Sequence, residues 1–290
     1  MNGLKKLRAR LLTYKRSPYS LFLFIAVCLA ALICAAATVF IVAYILIKGI
    51  PNITPDLFAW KYTTENVSLM PALINTLFMI ILSLLISVPI GIGSAIYLAE
   101  YAGRGNKLVG VVRVTGETLS GIPSIVYGLF GSLFFVKFLG LELSLIAGAL
   151  TLSVMILPLI MRTTEEALLA VPDSYREGSF GLGAGKLRTV FRIVLPDALP
   201  GIFSGIVLGI GRIIGESAAL IFTAGTVAKA ATSLGDSART LAVHMYVISG
   251  EGLYIDQAYA TAVILLVLSA VINVLSELFE KKLGKKKGES

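Results

Sequence analysis

The chain has 290 residues, 57% hydrophobic and only 14% charged, with a formal net charge of +8. Soluble domains carry roughly 25% charged residues, so this composition excludes an ordinary soluble globular protein. One histidine, His244, and two cysteines, Cys28 and Cys34, cannot furnish a metal centre or a disulfide framework, and both cysteines read as small core residues.

A helix needs about 20 apolar residues to cross about 30 Å of hydrocarbon. Taken in chain order, six stretches meet that length: about 19–47, 71–99, 114–137, 143–163, 198–223 and 258–279. The first exceeds the roughly 7–15 residues of a signal-peptide apolar region and is predicted to be a retained anchor. Pro89, Pro123 and Pro158 predict bends in the second, third and fourth spans, tolerated where neighbouring groups satisfy the freed backbone.

The cations give an orientation. Lys5, Lys6, Arg8, Arg10, Lys15 and Arg16 precede the first span, and Arg104, Lys107 and Arg113 lie between the second and third. Arg162, Arg176, Lys186, Arg188 and Arg192 join the fourth to the fifth, and Lys281, Lys282, Lys285, Lys286 and Lys287 form the tail. All of these fall on one side, which the positive-inside rule makes cytoplasmic, so both termini are expected there. Basic ends at a bilayer suit anionic lipid headgroups, and no nucleic-acid partner is expected.

The connection 164–197 reads as helix, turn, helix. Pro172 breaks the chain, Asp173 or Ser174 is the expected N-cap, and Gly181, Gly183 and Gly185 predict a tight turn. A second helix over 186–194 is predicted to place Leu187, Val190, Phe191 and Val194 on one face. The run around Gly185-Lys186 is no phosphate-binding loop, because Phe180 stands where its first glycine belongs and Leu187 where Ser or Thr belongs.

Glu177-Gly178-Ser179, then Gly183, then Ile193, Leu195 and Pro196 keep the spacing of the coupling loop of ABC importer permeases, so the chain resembles that family. The resemblance implies an all-α membrane fold: six transmembrane helices in a type I (MetI-like) importer bundle in a bacterial inner membrane. Its division would be an N-terminal segment with first helix and external loop (1–70), a permease core (71–280) and a basic tail (281–290). It also implies a transport subunit rather than an enzyme, with the loop seated on a separate ATPase that binds ATP and magnesium, and alternating access driven from there.

Three further segments narrow the resemblance: Pro89 to Tyr101, Gly121 to Gly128, and Gly215 to Gly225 are similar to phosphate importer permeases, the last to the PstA type. That implies a PstC-type sibling permease, a PstB-type ATPase dimer and an external phosphate-binding protein as partners. Independently, Arg212 lies midway along the fifth apolar stretch, where a charge is costly and usually functional. A guanidinium suits an oxyanion, and Glu216 four residues on is expected to pair with it. Arg113 and Glu117 repeat the spacing. The candidate substrate path is therefore Arg212, Glu216, Ser217, Glu117 and Ser124; the alternative is an ion pair that only locks helices. Sulfate or molybdate would suit the same arginine. A secondary transporter would need no coupling hairpin.

Overall fold

The computed structural model describes residues 18–102 and 107–288, all of whose regular elements are helical. The basic N-terminal cluster and Arg104 lie outside the described residues, as do the side chains of the lysine-rich tail.

Helix α1 (Pro18–Gly49) is apolar all round, and its 18-residue apolar window contains no buried residue. It is fastened near its C-terminal end, where the Tyr44 ring meets Tyr259 edge-on at 5.8 Å and Gly49 lies against the Tyr259 main chain. Cys28 and Cys34, expected in a core, are exposed on this helix. A peripheral helix facing lipid needs apolar side chains on every side, so hydrophobicity alone did not mark these as core.

Helix α2 (Met70–Ile96) ends in a widened π turn, Tyr97–Tyr101. The third stretch is an elbow: α3 (Lys107–Ser120) meets α4 (Ser124–Gly131, extended by the π turn Ser132–Phe138) at 103°. Pro123 supplies the break, since it has no N–H to donate and disfavours helix at the residue before it. The Tyr127 hydroxyl donates to the Leu119 carbonyl at 2.7 Å and ties the two arms together. Helices α2 and α5 (Leu145–Leu169) run unbroken through Pro89 and Pro158, so only Pro123 interrupts a span.

The fifth stretch departs from expectation. A short helix α6 (Asp173–Gly181) and a turn lead into α7 (Lys186–Thr189), a π turn (Val190–Val194) and α8 (Leu195–Ile214). From residue 186 this is one helical rod, and it stops at Ile214 rather than near 223. Helix α9 (Ala218–Thr223) follows as a separate piece, then α10 (Leu241–Gly250) and α11 (Ile255–Gly288). Among the described residues, five helices are long and apolar enough to cross a membrane, or six when the elbow counts as one span.

Helix α5 is central, with 61% of its apolar window buried. It packs along α2 and α8, and Met79, Leu152, Ile156, Ile160, Ile213 and Leu220 are fully enclosed. Close approach of α8 depends on small residues: a Cβ at Gly205 would overlap the Thr163 side chain, and one at Gly201 would lie 2.8 Å from Ala167 Cβ. Such contacts replace the hydrophobic drive that lipid does not provide.

A second fastening holds the segment between α9 and α10. Asn75 Nδ2 donates to the carbonyls of Lys229 (2.9 Å) and Arg239 (3.1 Å), and its Oδ1 accepts from Ala231 N (2.8 Å). Thr76 Oγ1 accepts from Leu241 N at 2.8 Å. Nearby, Arg239 is buried; its Nε donates to Thr226 O, and its guanidinium lies 5.5 Å over the Tyr62 ring. His244 Nδ1 sits 3.4 Å from Arg239 Nη1 and its ring meets Tyr62 edge-on. Burial first, and then the Arg239 charge, push the His244 pKa down to about 4, against an opposing pull from the Val67 main chain.

Asn75→Ala leaves two carbonyls and one N–H without their partner, a loss of about 1–3 kcal/mol for each group left buried and unsatisfied. The expected outcome is a lower unfolding temperature in detergent, with the loss exceeding that of an exposed control. His244 is neutral when folded but titrates near its ordinary value when unfolded. Its contribution is complete above about pH 6.5 and declines as pH falls towards 4, by up to about 3 kcal/mol. Unfolding followed from pH 7.5 to 4.5 should show this loss in the wild type and a flatter profile in His244→Gln.

Candidate functional site

The hairpin begins where α5 ends at Leu169. Val171 is buried, Pro172 occupies the N-cap position, and α6 starts at Asp173. Neither Asp173 nor Ser174 is the N-cap. Asp173 lies inside the first turn and accepts instead from Arg176 Nη1 at 3.2 Å.

Within the spaced motif, Glu177 and Gly178 are exposed, and a Cβ at Gly178 would meet nothing within 4 Å. Ser179 is buried, its hydroxyl 2.8 Å from that of Thr189, which joins α6 to α7 and requires a small side chain. Gly183 alone of the three turn glycines has positive φ, +81°. This left-handed conformation is what glycine supplies at no steric cost. Ile193 and Leu195 are half-buried, and Pro196 follows directly on the π turn Val190–Val194 within the continuous rod.

The apolar face expected on the second helix divides. Val190 and Val194 are buried, whereas Leu187 and Phe191 are half or more exposed. Val190 and Val194 begin and end the π turn and share its buried side, while Leu187 before it and Phe191 within it face away. Leu182, 91% exposed, together with Phe180, Leu187 and Phe191, leaves an apolar rim on the hairpin. Beside it is a cleft of about 270 Å³ lined by Ser179, Gly183, Arg188 and Arg192 among others.

The expected pairing of Arg212 with Glu216 is not formed. Helix α8 ends at Ile214, so the i, i+4 relation fails at Gly215. Glu216 is buried and its Oε1 accepts from Ala219 N at 3.0 Å, holding the start of α9. Ser217 precedes α9 but makes no side-chain cap. Arg212 is half-buried, has no ion-pair partner among the described residues, and lies within electrostatic reach of the Tyr127 hydroxyl. Tyr127 is one turn into the helix that Ser124 begins, so Arg212 and the elbow are neighbours.

Glu117 belongs to a different group. Arg113 pairs with Glu165 of α5 (Nη2 to Oε1, 2.5 Å) and not with Glu117. Arg162 pairs with Glu166 at 2.9 Å, and Glu117 lies close enough to act on that arginine. These five charged residues line a cavity of about 180 Å³ on the loop side of α3 and α5. The sequence reading missed Glu165, Glu100, Arg176 and Asn75. For Glu165, Glu100 and Asn75 the visible signal was a charged or amide residue at or inside the edge of an apolar stretch, whereas Arg176 showed only as one of the connection's cations.

A hairpin with an apolar rim projects from a bundle of long apolar helices, the architecture of a multi-pass membrane protein. A family profile described as "Binding-protein-dependent transport system inner membrane component" matches residues 87–285, and the chain belongs to that family of ABC importer permeases. It is 35% identical to the probable ABC transporter permease protein YqgI of Bacillus subtilis, over 79% of this chain and 82% of that one. It is 42% identical to the phosphate transport system permease protein PstA 1 of Mycobacterium tuberculosis, over 53% of this chain and half of that protein's length. Against PstA of Xylella fastidiosa the identity is 38%, covering 61% and 62% respectively.

Among solved structures, a bacterial alginate ABC transporter superposes with a TM-score of 0.67 at 17% identity, covering 90% of this chain and 95% of that one. The inward-facing MetNI methionine transporter gives 0.58 at 22% identity, covering 73% and 93%. These two bear on the fold.

Glu216→Gln keeps an acceptor oxygen for Ala219 N and should leave the unfolding temperature near wild type. Glu216→Ala should cost about 1 kcal/mol, the usual loss of a helix-start acceptor. An ion pair with Arg212 would make the glutamine variant costly too, and thermal unfolding of both decides.

Proposed function

We propose that this chain is the PstA-type membrane-spanning subunit of an ATP-driven phosphate importer in a bacterial inner membrane. It crosses six times with both termini cytoplasmic and lines the path together with a PstC-type sibling permease. It seats its hairpin on a PstB-type ATPase dimer, and an external binding protein delivers phosphate.

The hairpin carries the coupling part of this reading. Its apolar rim, left-handed Gly183 and exposed Glu177 form a compact knob suited to a cleft in a partner. Phosphate is supported by the similarity to PstA proteins and by Arg212, a guanidinium inside the bundle with no carboxylate paired to it among the described residues. With Glu216 occupied in holding α9, the arginine keeps its planar donor fork for an oxyanion. Ser124 at the elbow adds a hydroxyl, and Ser217 stands beside the break that ends α8. Because Glu117 lies with Arg113 and Arg162, its place in the path is nearer the loop side.

The test is uptake of radiolabelled phosphate into proteoliposomes carrying the full assembly, with binding protein outside and ATP inside. Wild type should take up phosphate saturably and only with ATP. Gly183→Asp, which puts a side chain on a left-handed backbone, should abolish uptake. Arg212→Gln should lower it about 10- to 100-fold, the effect of losing one charged hydrogen bond. Uptake of sulfate or molybdate in place of phosphate would overturn the substrate assignment, and uptake without ATP would overturn the importer reading.

A further inference from the structure

We propose that Arg176 is the positioning residue that ties the coupling helix to the membrane spans, so that movement of α6 reaches α2 and α5 through its guanidinium. The inference rests on the importer reading above and adds a specific route to it.

Helix α6 has few other attachments. Its extended packing is confined to its own hairpin partner, α7 and the π turn after it. That partner is held by apolar contact: Val190 and Val194 are buried with Ala95 and Ile96 of α2 and Ala198 and Ile202 of α8. The α6 side is held by a polar clamp instead. Arg176 Nε and Nη2 donate to Glu100 Oε1 at 3.1 and 2.7 Å, and Glu100 sits in the widened turn that ends α2. Nη2 also donates to Leu168 O at 2.8 Å, in the last turn of α5, and Nη1 to Val171 O at 2.7 Å.

Both charged side chains are enclosed, Arg176 15% and Glu100 8% exposed, so solvent does little to screen the pair. The further bond to Asp173 is at a carboxylate 76% exposed and contributes little. One planar fork thus joins a coupling helix to the ends of two spans. Lysine cannot reproduce this, because a single ammonium does not present donors to a carboxylate and two divergent carbonyls at once. A break in this clamp leaves α6 joined to the bundle by main chain and by α7. Displacement of α6 by a partner would then flex the hairpin before it moved α2 or α5.

The experiment uses the whole assembly in proteoliposomes and measures phosphate taken up per ATP hydrolysed, alongside the ATPase subunit retained on purification. Arg176→Lys and Glu100→Gln are each expected to keep the ATPase bound and hydrolysing while uptake per ATP falls about tenfold or more. The double variant should fall no further than the worse single one, since both break one link. Asp173→Asn should match wild type.

Assembled single variants with the wild-type ratio of uptake to hydrolysis overturn the clamp while leaving the importer reading intact. A wild type that moves no oxyanion with ATP overturns that reading and the clamp with it. Should Arg176→Lys not assemble, Glu100→Gln decides, because it leaves both carbonyl bonds in place. If neither assembles, Arg176 serves stability alone and the proposal fails.

Discussion

Hydrocarbon offers no hydrogen bonds, so an interruption of a helix within the bilayer has to be closed by the protein itself, and buried interruptions beside it meet the same demand. In this chain the main interruptions each have a named side chain. Tyr127 closes the elbow by reaching back to Leu119. Glu216 takes up Ala219 N where α8 gives way to α9. Asn75 receives the segment between α9 and α10 at three main-chain groups. Arg176 takes the Leu168 carbonyl near the end of α5. The irregular parts of the fold, which are also where function is expected, exist because these polar groups satisfy them.

The same constraint explains what was legible in the amino-acid order. Apolar length marked the long helices, and of the three prolines expected to bend spans only Pro123 coincides with a break. The hairpin could be read because its demands are local: a small residue at Ser179 against Thr189, and a left-handed backbone at Gly183. The end of α8 was not legible. Gly215 and Ser217 are weak stops in an otherwise apolar run, and the true signal is the Glu216 bond to Ala219 N, which exists only once the turn has formed. Arg113 illustrates the same limit, since its partner, Glu165, is 52 residues away on another helix. The π turn after Thr189 was invisible for a different reason: the apolar spacing of 186–194 is the same as that of an ordinary helix face.

The two halves of the hairpin are attached by unlike means. Val190 and Val194 enter an apolar cluster shared with α2 and α8, which tolerates sliding because contact there has no strong directionality. Arg176 and Glu100 are directional, with donors and acceptors fixed in a plane. The hairpin is therefore held by a directional polar joint on α6 and a non-directional apolar one on the π turn after α7. The two charge pairs around Arg113 and Arg162 lie where α3 meets α5, towards the end of α5 that leads into the hairpin.

Helix α1 carries a consequence of another kind. Its apolar stretch has no buried residue, and within this chain it touches mainly α11, near Gly49 and Tyr44. Shape complementarity therefore acts on a short section of it, while the rest answers only to length and oiliness. Most of its positions are interchangeable among apolar residues, so sequence drift in descendants of this protein would accumulate there first.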